Sequence, residues 1–350
     1  MKAAQIKAPR SIHLIEIDDP VLTDCPTDHI IVRLQRGCLC GSDSPFFAYD
    51  LTHVRDEALE ELTISTDFLE IDTEKIYPLR TGLSLHECVG TVICSASSKF
   101  KEGDFVLALP DHQNGYQENL LIPSNRAIHL PENAVSIEEM VLSQPLGTVI
   151  WACRKLENVI GSNIVILGLG PIGLLFSHLL GNLGARRVIA LDRIPARLEA
   201  AEKMHATHCI NVDEVDPLEA VRDITSGKMA DIVVDAVGHD VYLLDLCIDL
   251  VRQMGTILYF GLPDRDHYPY FPHLKFLRKN VRLISSVGPE VEYDYPLARD
   301  MIAQGRINLE PLITHVIPYT DPQQAFELFT ERKDGAIKVF IDFEKESAKS

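Results

Sequence analysis

Apolar residues follow two different rhythms along this chain. In the first third, short apolar runs are separated by turns. Ile30-Ile31-Val32-Arg33-Leu34, Val89-Gly90-Thr91-Val92-Ile93 and Phe105-Val106-Leu107-Ala108-Leu109 are rich in β-branched residues and predict strands. Lys101-Glu102-Gly103-Asp104 is a turn between two of them. From about Gly161 strand and helix patterns alternate. Strands are expected at 164–167, 188–191, 232–236, 256–261 and 281–284, with helices following the first strand and at 195–205 and 241–252. Such alternation implies a parallel, doubly wound sheet. Beyond about Gly288 it weakens into a helix at 295–304, an amphipathic stretch at 322–332 and a last strand at 338–342. That strand is expected to rejoin the first domain.

The sharpest local signal lies where the second rhythm begins. Ile164-Val165-Ile166-Leu167 runs into Gly168-Leu169-Gly170-Pro171-Ile172-Gly173, and a long apolar helix pattern follows. In a G-x-G-x-x-G turn the first glycine makes the tight bend. The second leaves room for a pyrophosphate, and the third lets helix pack on strand. The helix opening there offers free N–H groups and a positive dipole end to an anion. The next strand ends in Asp192, nineteen residues past Gly173, where an acid is placed to bind a ribose 2′-hydroxyl. Asp192 favours NAD over NADP because a carboxylate repels a 2′-phosphate. Arg193 follows directly and is a type that accepts that phosphate, so the choice stays open.

Composition narrows the function classes. At 350 residues and 46% apolar content the chain has material for two domains with a sizeable core. A formal net charge of −18 excludes a nucleic-acid surface and binding to anionic membranes. The start, Met1-Lys2-Ala3-Ala4-Gln5-Ile6-Lys7, has no secretory apolar core, and the most apolar window is broken by glycines and Pro171. A cytoplasmic protein is expected. Its eight cysteines show no disulfide rhythm and read as thiols, some of them metal ligands. The segment 55–75 holds eight acidic residues interleaved with leucines and isoleucines. It reads either as a solvated surface segment or as a wall beside the substrate.

The candidate chemistry sits upstream of the glycine turn. Gly37-Cys38-Leu39-Cys40-Gly41-Ser42-Asp43 follows a predicted strand, Leu85-His86-Glu87-Cys88 opens another, and Ser143-Gln144-Pro145-Leu146 precedes the helix into the nucleotide domain. A thiolate, an imidazole and a third donor make a three-ligand zinc site with one open position. This order of pieces resembles the zinc-dependent medium-chain dehydrogenase/reductase family, over nearly the whole chain from Lys2 to Phe343. The resemblance implies an α/β protein. A GroES-like β-rich catalytic domain would take 1–155 and 290–350, and a Rossmann doubly wound sheet binding NAD would take 156–289. It implies one catalytic zinc held by Cys40, His86 and either Glu87 or Gln144. Ser42 would relay the alcohol proton, and Asp43 would orient the zinc histidine. Gly168, Gly170, Pro171, Ile172, Gly173, Asp192, Arg193, Thr148 and Lys338 would contact the cofactor.

The chain departs from the family pattern in three ways. Only Pro110-Asp111-His112-Gln113-Asn114 stands where four cysteines hold a structural zinc, so no second zinc is expected. Leu85 replaces the usual glycine before the histidine, and Gln144 replaces the glutamate of the polyol branch. Asp111 and His112 read as loop residues. The implied activity is NAD-dependent oxidation of a secondary alcohol in a polyol, sugar or related hydroxy compound. A homodimer or homotetramer is expected. The alternatives are a zinc-free enone or quinone reductase of the same fold and a nucleotide-binding protein without turnover.

Overall fold

The computed structural model describes residues 1–21, 27–51, 76–111, 113–238, 243–263, 268 and 270–346. The acidic segment 55–75 and His112 lie outside the described residues. By its internal contacts the chain forms two units. Of the described residues, one takes those up to Gln144 together with those from Val291 on; the other takes those within Pro145–Glu290. The division falls inside the continuous helix Ser143–Arg154 and not at 155/156. The sequence rhythm changes only after that helix, at the first strand of the parallel sheet.

The first unit is built mainly on antiparallel strands. β1 (Lys2–Ala8) and β2 (Ser11–Glu16) form a hairpin. A larger sheet has β3 (His29–Cys38) at its centre, flanked by β4 (Glu87–Ser95) and by the C-terminal strand β15 (Lys338–Asp342). β5 (Phe105–Ala108), β7 (Ala127–His129) and β14 (Ile313–Pro318) complete its order, and β6 (Asn119–Pro123) pairs β3. The last strand thus rejoins the first unit, as its sequence position suggested. Tyr116, Phe47 and Phe326 are fully buried in this unit, with the Phe47 and Phe326 rings 5.1 Å apart.

The second unit is the parallel sheet. β8 (Asn163–Leu167), β9 (Arg187–Asp192), β10 (His208–Asn211), β11 (Ala230–Asp235), β12 (Val251–Tyr259) and β13 (Arg282–Ser285) pair in the order β10-β9-β8-β11-β12-β13. All five residues of β8 are buried, as a strand covered on both faces requires. The helix expected at 241–252 ends at Leu250. Val251 and Arg252 already open β12, because a β-branched residue pairs Ala230 in the sheet there. β10 escaped the periodicity because His208 and Asn211 dilute its apolar content. No helix among the described residues is long and apolar enough to cross a membrane.

Candidate metal centre and dinucleotide turn

In the first unit, the sheet delivers Cys40, His86 and Glu87 to one place. Their ligating atoms lie within 4.8 Å of one another. Cys40 stands just past the end of β3, and His86 and Glu87 stand at the start of β4. The two strands are antiparallel neighbours, with Cys38 opposite Glu87. Antiparallel pairing brings the end of one strand beside the start of the next, so two sequence-distant motifs meet.

Asp43 fastens the two ligand loops. Fully buried, it accepts from the Cys40 backbone N–H through Oδ2 (2.7 Å) and from the Leu85 N–H through Oδ1 (3.2 Å). Its Oδ1 also faces His86 Nδ1 at 3.7 Å, which leaves the other ring nitrogen for a metal. Burial acts to raise the Asp43 carboxyl, but His86 and these amides outweigh it and hold the group below its ordinary value. Burial opposes a charge on His86; Asp43 and Cys40 outweigh that and hold it well above 6.5. The position before the histidine is strained. Leu85 is fully buried at φ +88°, a left-handed backbone that a leucine rarely takes. A glycine would hold this turn without strain, so the buried leucine side chain is kept at the expense of the backbone.

Glu87 has the most demanding surroundings. It is fully buried, and Oε2 takes the Lys338 ammonium and the Cys38 thiol, while Oε1 is buried without a partner. Lys338 also donates to the Leu39 carbonyl (2.9 Å). Burial opposes its charge, but Cys38, Glu87 and Cys40 outweigh that and lift it above its ordinary value. Burial and then Glu87 push the Cys38 thiol up, so it stands as an S–H donor. An orphaned buried carboxylate oxygen beside a thiol and an imidazole is what a divalent soft-to-borderline cation needs. The donor set fits zinc.

Gln144 is buried, and its Nε2 donates to the Tyr295 hydroxyl at 3.4 Å. Burial, opposed by Arg126 and by Gln144, pushes Tyr295 up to about 12, with Glu87 adding to the rise. Tyr295 therefore belongs to the same electrostatic neighbourhood. Ser42 is half-buried in the turn after Cys40. Asp111 pairs with Arg126 at 2.8 Å.

The second unit carries the dinucleotide turn. Gly168 sits at φ +83°, and a Cβ there would strike Val237 at 2.5 Å. A Cβ on Gly173 would lie 1.8 Å from the Gly168 carbonyl oxygen, so helix and strand touch at that point. Gly170 differs: a Cβ there meets nothing within 4 Å. It caps the helix Pro171–Asn182, with Pro171 and Ile172 in the first turn. Open space at a helix N-terminus between two closely packed glycines is a cradle for a pyrophosphate.

Asp192 ends β9 and is nearly buried. Its Oδ2 accepts from Leu169 N–H (2.7 Å), and its Oδ1 accepts from Arg193 and Ile194 N–H (2.7 and 2.9 Å). The acid thus braces the glycine turn as well as marking the strand end. Arg197 NH1 lies 3.7 Å away. Arg193 is exposed, and the half-buried Thr148 donates to the Pro145 carbonyl (2.7 Å).

Sequence reasoning brought together Cys40, His86, Glu87 and Asp43. It placed Lys338 with the cofactor residues, whereas its ammonium here joins the Glu87 cluster. It missed Cys38, Tyr295 and Arg197. Only the Cys38-x-Cys40 spacing offered a signal for any of these.

Residues 171–304 match the family model described as zinc-binding dehydrogenase. The chain is 26% identical over 370 residues to the sorbitol dehydrogenase of Bacillus subtilis (strain 168), covering 97% of each chain. It is 27% identical over 323 residues to a probable D-xylulose reductase A of Arthroderma otae, covering 88% of each. Among solved structures it resembles an alcohol dehydrogenase from Thermus sp. ATN1, with a TM-score of 0.80 and 23% identity, covering 98% of this chain and 99% of that one. That likeness establishes the fold: a GroES-like β-rich unit and a Rossmann unit.

Proposed function

We infer that this chain, a member of the zinc-dependent medium-chain dehydrogenase family and an oxidoreductase, oxidises a secondary alcohol of a polyol or sugar with one catalytic zinc and NAD. The observation that carries this reading is the convergence of ligating atoms of Cys40, His86 and Glu87 within 4.8 Å, with Glu87 Oε1 buried and unpartnered. It supports the metal-dependent reading over a zinc-free reductase, which has no use for a buried unpartnered carboxylate oxygen. The sorbitol and xylulose relatives support the substrate class.

When bound, zinc supplies Lewis-acid polarisation of the substrate oxygen, and NAD supplies the hydride acceptor. Cys40, His86 and Glu87 would hold the metal, with Gln144 as a further neutral donor. Asp43 keeps the His86 ring oriented and ties the Cys40 and Leu85 backbones together, so the ligands are fixed before substrate arrives. Ser42, two residues past Cys40, takes the alcohol proton and passes it outward. The substrate carbon gives up its hydride, and a carbonyl compound remains. In the second unit the Gly168–Gly173 turn and the helix N-terminus bind the pyrophosphate, and Asp192 accepts from the adenosine ribose.

A panel of polyols, sugars and amino alcohols with NAD and NADP, followed by absorbance, tests the reading together with metal analysis. One zinc per chain is expected. Cys40→Ala and His86→Ala should lose the zinc and the turnover while keeping NAD binding. No turnover across the panel, or full activity after prolonged dialysis against a strong chelator, would overturn it.

A further inference from the structure

Three neighbouring strands place three chemically unlike side chains in a row. β15, β3 and β4 are adjacent, with Phe340 opposite Cys38 and Cys38 opposite Glu87. Lys338 is two residues from Phe340, so it lies on the same face of the sheet as Cys38. The order across the sheet is therefore ammonium, thiol, carboxylate. Each of the two outer strands supplies a charge, and the central strand supplies a neutral donor.

A carboxylate held only by an ammonium retains freedom to rotate about its terminal bond. A half-turn only exchanges two equivalent oxygens, but the torsion is broad, so smaller rotations swing the free oxygen away from any one direction. A second donor on the same oxygen removes this freedom. Glu87 Oε2 takes both Lys338 and Cys38, and Oε1 is left buried and bare. Among the described residues the donor cluster comprises Cys40, His86 and Glu87, so Cys38 acts on the carboxylate rather than as a ligand.

We propose that Cys38 is a positioning residue of the metal site, locking Glu87 with Oε2 turned away so that Oε1 faces the metal. The inference rests on the metal-dependent reading above. Loss of the thiol lets the carboxylate rotate, and the third ligand becomes intermittent. A neighbour that orients a ligand typically contributes 10–100-fold to metal affinity.

The test uses the full chain and two metals. Cys38→Ala and Cys38→Val both remove the donor, the second while keeping bulk and strand propensity; Cys38→Ser keeps a donor. Zinc affinity is measured by competition with a chromophoric chelator. Cobalt(II)-substituted protein is read for its d–d bands, which report coordination number, and for thiolate-to-cobalt charge transfer, which reports Cys40. The Ala and Val variants should bind zinc about tenfold more weakly or worse, with altered d–d bands and intact charge transfer, and Ser should restore most of the affinity. A purely structural role would lower the melting point of metal-free variants and leave affinity and cobalt spectrum unchanged, and that result overturns the proposal. If one donor-free variant fails to fold, the other decides. Parent protein that binds neither zinc nor cobalt overturns the metal-dependent reading itself, whereas parent binding with unchanged variants overturns only the role of Cys38.

Discussion

Replacing Lys338 by Met removes one charge from a pair in which both side chains are 1% exposed. Met keeps the unbranched apolar stem, so the packing loss is below about 1.5 kcal/mol. The lost hydrogen bond to the Leu39 carbonyl contributes about 1 kcal/mol. The dominant effect is the Glu87 carboxylate left buried without its cation, which costs about 3–5 kcal/mol. That is a large share of a total stability of about 5–15 kcal/mol. From that dominant effect alone, at about 2–4 °C per kcal/mol, the melting temperature should fall by roughly 6–20 °C. The assay is thermal unfolding of metal-free protein followed by circular dichroism, so that a bound cation does not neutralise the stranded carboxylate. The double variant Lys338→Met/Glu87→Met should recover most of the loss, because an apolar replacement of both partners leaves no charge to bury. A single variant melting within about 2 °C of the parent, or a double variant less stable than the single, would refute the reasoning.

Three further outcomes are expected. Asp192→Ala should raise the KM for NAD and narrow the gap to NADP, since it removes both the repelling charge and the acceptor bracing Leu169, Arg193 and Ile194; a parent enzyme that already prefers NADP would contradict the assignment. Gln144→Glu should tighten zinc binding and shift the pH–rate profile upward, because an added anion offsets the dication and weakens its pull on bound water. Unchanged affinity and profile would show that Gln144 serves only Tyr295. His178 is lowered by burial, with His205 beside it, from 6.5 to about 4. The unfolded chain takes the proton first, so His178 contributes stability that is full above 6.5 and declines as pH falls toward 4. His178→Gln should flatten the urea midpoint across that window, and a profile as steep as the parent's would count against it.

Much of this architecture was legible in the residues. The strands of the parallel sheet announced themselves as unbroken apolar runs, and Gly168–Gly173 announced the turn, because those signals are local in sequence. The candidate metal ligands Cys40, His86 and Glu87 stood out through short motifs whose spacing is also local. What escaped depends on pairing between distant strands. Nothing near Cys38 shows that it will lie opposite Glu87, or that Lys338, some three hundred positions later, will flank it. Register of that kind is set by the whole sheet. Tyr295 was likewise read only as the start of a helix, since its hydroxyl meets Gln144 across about 150 residues of chain. The end of the helix at Leu250 was missed because helix and strand share apolar residues at their junction.

The position of β15 has a consequence for how the molecule comes into being. Among the described residues the second unit falls within one stretch of chain, so its sheet can form as soon as those residues leave the ribosome. The first unit is split, and β15, next to the central strand β3, follows the whole of the second unit in the chain. Until it arrives, Glu87 lacks Lys338 and β3 has an uncovered edge. Domains complete during synthesis fold first, and exposed strand edges are prone to wrong partners. The nascent protein therefore passes through an interval in which the second unit is finished while the first is open on one side. The pairing that brings Lys338 to Glu87 is thereby deferred until β15 has followed the second unit and slotted in beside β3.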